Sequence, residues 1–71
     1  MKISGLSWER IGDQDLWMVF TDGISLSVAR CPRGWRWQAL HDGRSTTSDP
    51  FPKRNDAMKA AARWNSERVG A

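Results

Sequence analysis

The chain has one cysteine and one histidine in 71 residues, and no apolar run approaches the roughly 20 residues of a membrane span. Each shortage excludes something. With Cys31 alone, no disulfide can form within the chain. Cys31 and His41 are the only soft metal ligands, and a structural zinc site wants four, so no metal and no other cofactor is expected. The N-terminal stretch Met1-Lys2-Ile3-Ser4-Gly5-Leu6-Ser7-Trp8-Glu9-Arg10 lacks the apolar segment of a signal peptide. A lone cysteine suits a reducing compartment, so the expectation is a cytoplasmic protein without membrane contact. Neither an internal repeat nor a low-complexity segment is present, and no glycine-rich phosphate-binding motif appears.

Catalytic groups are equally scarce. A serine hydrolase needs a histidine that reaches a nucleophile and is oriented by a carboxylate. His41 stands beside Asp42, and adjacency in a strand would send the two side chains to opposite faces. The carboxylates are scattered through turns, with no pair that the sequence places together. The chain is also too short to enclose a deep, water-free pocket. The expectation is a protein that is not an enzyme.

What the chain does have is tryptophan and arginine. Seventy-one residues imply one domain, residues 1–71. Such a chain buries only about 60% of its unfolded surface, and its core rarely yields more than roughly 3–5 kcal/mol of net stability. Trp8, Trp17, Trp35, Trp37 and Trp64 supply heavy packing without a staple, although five indoles are more than so small a core can enclose completely. Charge is uneven. Residues 1–29 hold two basic against four acidic side chains, net −2; residues 30–71 hold nine against four, net +5. Seven of those nine are arginine, the better partner for bidentate phosphate or carboxylate contacts.

Hydropathy periodicity predicts the elements. Residues 3–11 read as a first strand, with Leu6 and Trp8 on one face. Gly12–Asp15 is a polar turn. The apolar run Leu16–Phe20 reads as a central strand covered on both faces. Asp22-Gly23 is a two-residue hairpin signal, and Ile24, Leu26 and Val28 then alternate with small or polar residues as a half-buried strand. Pro32 and Gly34 bracket the next turn, with Cys31 as a small residue at its entrance. In the strand that follows, Trp35, Trp37 and Ala39 point one way and Arg36, Gln38 and Leu40 the other. Asp42-Gly43 repeats the hairpin signal, and Arg44–Ser48 is a polar edge strand. Asp49-Pro50-Phe51-Pro52 must be extended, because each proline disfavours helix in the residue before it. A helix runs from about Lys53 or Asn55 to Arg68, with Asp56 in its first turn, Gly70 after its end, and a stripe of Ala57, Ala60, Ala61 and Trp64. The expected fold is α+β: an antiparallel β-meander of four to five strands with one C-terminal helix packed on one face.

The segment from Gly34-Trp35-Arg36-Trp37 through Gly43-Arg44-Ser45 to Phe51-Pro52-Lys53-Arg54-Asn55-Asp56-Ala57 resembles the AP2-like, arm-binding N-terminal domains of phage integrases, and also small bacterial strand-strand-helix domains of unknown function. The integrase resemblance implies DNA recognition by a three-stranded sheet. It covers about half the chain and departs from the pattern at the helix start, where Lys53 stands in place of a Ser or Thr cap. By topology alone, the meander and helix also resemble dimeric single-strand nucleic-acid binders.

These readings lead to a small non-enzymatic binding domain that contacts nucleic acid through a cationic sheet face. The expected contacts are Arg36 and Gln38, joined by Arg44 or Thr46 of the neighbouring strand and by Trp35, with Arg33, Arg30 and Lys53 as phosphate neighbours. The alternatives are a protein-binding or inhibitory module of the phage or mobile-element type, or a structural homodimer. Tryptophan and arginine serve protein hot spots as well as nucleic-acid sites.

Overall fold

The structure, a computed structural model, describes residues 1–69, with Val69 described by its backbone alone. Gly70, expected to follow the helix, lies outside the described residues. In chain order the elements are β1 (Lys2–Ile3), β2 (Leu6–Ser7), β3 (Glu9–Arg10), β4 (Leu16–Thr21), β5 (Ile24–Cys31), β6 (Gly34–His41), β7 (Arg44–Thr47) and α1 (Arg54–Val69). The fold is α+β. Strands β3 to β7 form an antiparallel sheet in chain order, β1 and β2 form a separate two-stranded ribbon, and α1 packs on β6 and β5.

The turns explain the meander. Asp22 and Gly23 have φ of 53° and 74°, and Asp42 and Gly43 have 52° and 75°. These are the paired positive values of the type I′ hairpin, whose twist matches that of the flanking strands. A third pair, Ser4 at 52° and Gly5 at 81°, corrects the reading of residues 3–11 as one strand. The chain reverses there and pairs Ile3 with Leu6. Trp8 then separates the ribbon from β3. The Met1 ammonium donates to the Trp8 carbonyl at 2.9 Å, and the Trp8 N–H donates back to Met1 at 2.6 Å. Those two bonds hold the Trp8 indole in the core, where it is 1% exposed.

The core lies between one sheet face and the helix. Ile24, Leu26 and Val28 alternate into it from β5, Trp37 and Ala39 from β6, and Ala57, Met58 and Ala61 from α1. Leu26 and Val28 are fully buried, each stabilising the fold by about 1.5–3 kcal/mol relative to exposure. Short alanine side chains let the helix approach the sheet, and the Trp37 and Trp64 rings meet at 5.7 Å with an interplanar angle of 46°. The buried helix stripe is wider than the sequence suggested. Met58, Ala62 and Asn65 are sealed, whereas Ala60 and Trp64 are only half-buried. The reason is that α1 touches the β1–β2 ribbon as well as the sheet, which broadens the covered arc.

The connection after β7 finishes the edge of β6. Ser48 accepts from the Trp37 N–H through its hydroxyl at 3.0 Å and donates its own N–H to the Trp37 carbonyl at 2.9 Å. Trp35 and Phe51 exchange backbone hydrogen bonds of 2.8 and 2.7 Å, and the half-buried Phe51 packs against the core, as expected of a plug. Gly34, at φ +137°, allows this approach: a Cβ there would run into the Phe51 carbonyl oxygen.

Candidate functional site

One helix can cover only one face of a five-stranded sheet. The other face is open, and its residues follow from the register. Across it run three rows: Phe20, Ser25, Leu40 and Ser45; then Glu9, Met18, Ser27, Gln38 and Thr47; then Leu16, Ala29 and Arg36. Phe20 is 76% exposed and Leu40 51%. This corrects the reading of Leu16–Phe20 as a strand covered on both faces. Only Trp17 and Val19 of that strand pack against the core, and Leu16 and Met18 are half-buried on the open side.

The expected site residues divide between surfaces. Arg36 and Gln38 project from β6 onto the open face, both exposed. Their expected companion Arg44 does not join them. The two-residue Asp42-Gly43 turn pairs His41 with Arg44 and Ala39 with Thr46, which places Arg44 and Thr46 on the helix side. Gln38 instead faces Thr47 across β7 and Ser27 across β5. Trp35 and its partner Arg30 also lie on the helix side. Trp35 is half-buried against the core, and the Arg30 guanidinium is 3.6 Å from Asp15.

Arg33 occupies the β5–β6 turn and Lys53 precedes α1. The contact of Gly34 with Phe51 and Pro52 brings both to the same end of the sheet. The open face itself therefore holds one cation, Arg36, and one carboxylate, Glu9; it is not the cationic face expected from the charge surplus. Two other basic side chains serve tryptophan rings. Arg54 lies 4.9 Å over Trp17 and Arg68 lies 5.0 Å over Trp64, so the outer faces of these half-buried indoles are occupied.

The residue that sequence reasoning missed is Phe20. Its signal was available: Leu16, Met18 and Phe20 alternate with Trp17 and Val19, and a chain with a single helix can bury only one of those sets. Beside Phe20 the open face dips into a shallow depression of about 530 Å³, walled by Leu6, Ser7, Glu9, Met18 and Ser25. An exposed aromatic ring, an arginine, an amide and several hydroxyls offer stacking and hydrogen bonding but no paired acid and base. Among the described residues, no group of three or more His, Cys, Asp or Glu side chains could hold a metal ion. No described helix is long and apolar enough to cross a membrane.

No protein-family model, no curated protein and no solved structure matches the chain.

Proposed function

We propose that this is a non-enzymatic binding domain that holds single-stranded nucleic acid on its open sheet face. The observation that carries the reading is Phe20, an aromatic ring 76% exposed at one end of an open sheet face that also carries Ser25, Ser27, Ser45 and Thr47. Sheet-borne aromatic rings give stacking platforms, worth roughly 1–3 kcal/mol per base and tolerant of sequence. Arg36 and Gln38 supply donors to phosphate oxygens and base edges, with Ser27 and Thr47 beside Gln38 in register. Arg33 and Lys53, at the end of the sheet, act as phosphate neighbours. Arg30, Arg44 and Trp35 take no part on this face. The shortage of cations on the face favours stacked single strands over a duplex groove. A cytoplasmic setting suits a free cysteine and a nucleic-acid ligand.

A second reading, a protein partner or a second copy of the chain on the same face, is favoured by the exposure of Leu40 in the same row as Phe20, across Ser25. A titration of labelled oligothymidylate and oligouridylate at low and moderate salt separates the two. The nucleic-acid reading expects saturable binding whose logarithm falls with log salt at about −0.7 per phosphate neutralised. No binding at low salt, combined with concentration-dependent dimerisation in light scattering, would replace it with the self-association reading.

A further inference from the structure

Two arginines border one groove on the side of β7 turned away from the open face. Arg44 opens β7 and, paired with His41, projects on the helix side. Arg68 lies in the last turn of α1, its guanidinium stacked on Trp64 at 5.0 Å. With His41, Ser45, Thr46 and Trp64 they line a groove of about 640 Å³. Asp42 also borders it, but its carboxylate sits 3.6 Å from His41 Nε2. Among the described residues, neither Arg44 nor Arg68 takes part in an ion pair or a side-chain hydrogen bond.

Stacking restricts the Arg68 guanidinium while leaving its in-plane N–H groups free, the arrangement that lets arginine grip an oxyanion with two parallel bonds. The hydroxyl of Thr46 adds a neutral donor on the same side of the strand. The helix terminus contributes a negative partial charge nearby, which a cation in the last turn offsets.

We infer that this groove is a phosphate-binding site, with Arg44 and Arg68 as its two cationic contacts. The identity of its natural ligand rests on the nucleic-acid reading: a strand that crosses the open face past Thr47 and Ser45 and folds over the β7 edge delivers a backbone phosphate to it. β7 is a sheet edge whose residues are all exposed, so nothing described stands between the face and the groove.

The test uses the full chain labelled with ¹⁵N, observed at the arginine Nε–Hε signals. Inorganic phosphate is titrated first. The Arg44 and Arg68 signals are expected to move together along one saturable curve, whereas Arg10, whose Nε–H donates to the Gln14 carbonyl, and the Glu67-paired Arg63 drift linearly. A linear and equal response of all four overturns the site. Oligothymidylate is then titrated against Arg44→Gln and Arg68→Gln, with Arg63→Gln as a control and circular dichroism as the check on folding. The expected result is at least a fivefold loss of affinity in each groove variant and none in the control. Saturable phosphate binding without oligonucleotide binding by the wild-type chain would keep the site and discard the nucleic-acid reading. Saturable phosphate binding with unchanged oligonucleotide affinity in both groove variants would keep the site and overturn the path over β7.

Discussion

Replacing Phe20 with threonine separates binding from folding. Threonine retains strand preference, so the substitution removes the ring without penalising β4. With 76% of Phe20 exposed, no more than about 50 Å² of a roughly 200 Å² side chain leaves water on folding, which at about 25 cal/mol/Å² is about 1 kcal/mol as an upper bound. In a domain this small, that shifts the thermal midpoint by no more than about 4–8 °C. The loss of one stacked base, by contrast, is worth roughly 1–3 kcal/mol, or about 5- to 150-fold in affinity. The assay is a fluorescence-anisotropy titration of labelled oligothymidylate at fixed low salt, run beside thermal denaturation of the same samples. Leu26→Ala calibrates the denaturation. Leu26 is fully buried, and its truncation costs about 2–5 kcal/mol, comparable to the whole stability of so small a domain. If Phe20→Thr binds as the wild type does, the ring is not a stacking platform and the reasoning from the open face fails.

Three other outcomes are expected. Arg36→Ala lowers oligonucleotide affinity and reduces the salt slope by about 0.7, the signature of one lost phosphate contact to a single strand, while leaving the melting curve within about 0.5 kcal/mol of wild type. Gly34→Ala destabilises by at least about 2 kcal/mol in urea denaturation, because the added Cβ meets the Phe51 carbonyl at a φ of +137°. Lys53→Ser raises stability by about 0.5–1 kcal/mol in the same assay: Lys53 occupies the N-cap position, its carbonyl accepting from the Ala57 N–H at 3.2 Å, and its side chain cannot accept from the free N–H groups of the first turn.

The sequence made the sheet readable wherever a local rule was strong. Asp22-Gly23 and Asp42-Gly43 set two hairpins, and the alternation of Ile24, Leu26 and Val28 chose the buried side of β5. The opposition of Trp37 to Arg36 and Gln38 did the same for β6. Legibility failed where local pattern competes with global coverage. Leu16–Phe20 is apolar on both of its faces, and nothing within it states that only one face will be covered; that depends on there being one helix. Ser4-Gly5 is a weaker turn signal than Asp-Gly, so residues 3–11 read as a continuous strand where the chain in fact reverses. Arg44 lies on the strand next to that of Arg36 and both are basic, which suggests a shared face, yet the parity of a two-residue turn decides the face, and it puts Arg44 opposite His41. A surplus of charge in the second half of the chain likewise carries no information on the side of the sheet that receives it. The Arg68–Trp64 stack is an i, i+4 contact within α1 and so lies within reach of a spacing rule; the groove it forms with Arg44 arises from packing between α1 and the β6–β7 hairpin, for which no spacing rule exists.

On this proposal the ligand lies on the open face, and the outer side of α1 turned away from the sheet takes no part. Backbone amide chemical shifts of the ¹⁵N-labelled chain, followed during an oligothymidylate titration, test it most directly. Saturable changes are expected at Phe20, Ser27, Arg36, Gln38 and Thr47, with Lys59, Arg63 and Glu67 on the exposed side of α1 unmoved. Changes confined to α1, with the Phe20 and Gln38 signals stationary at saturation, would contradict it.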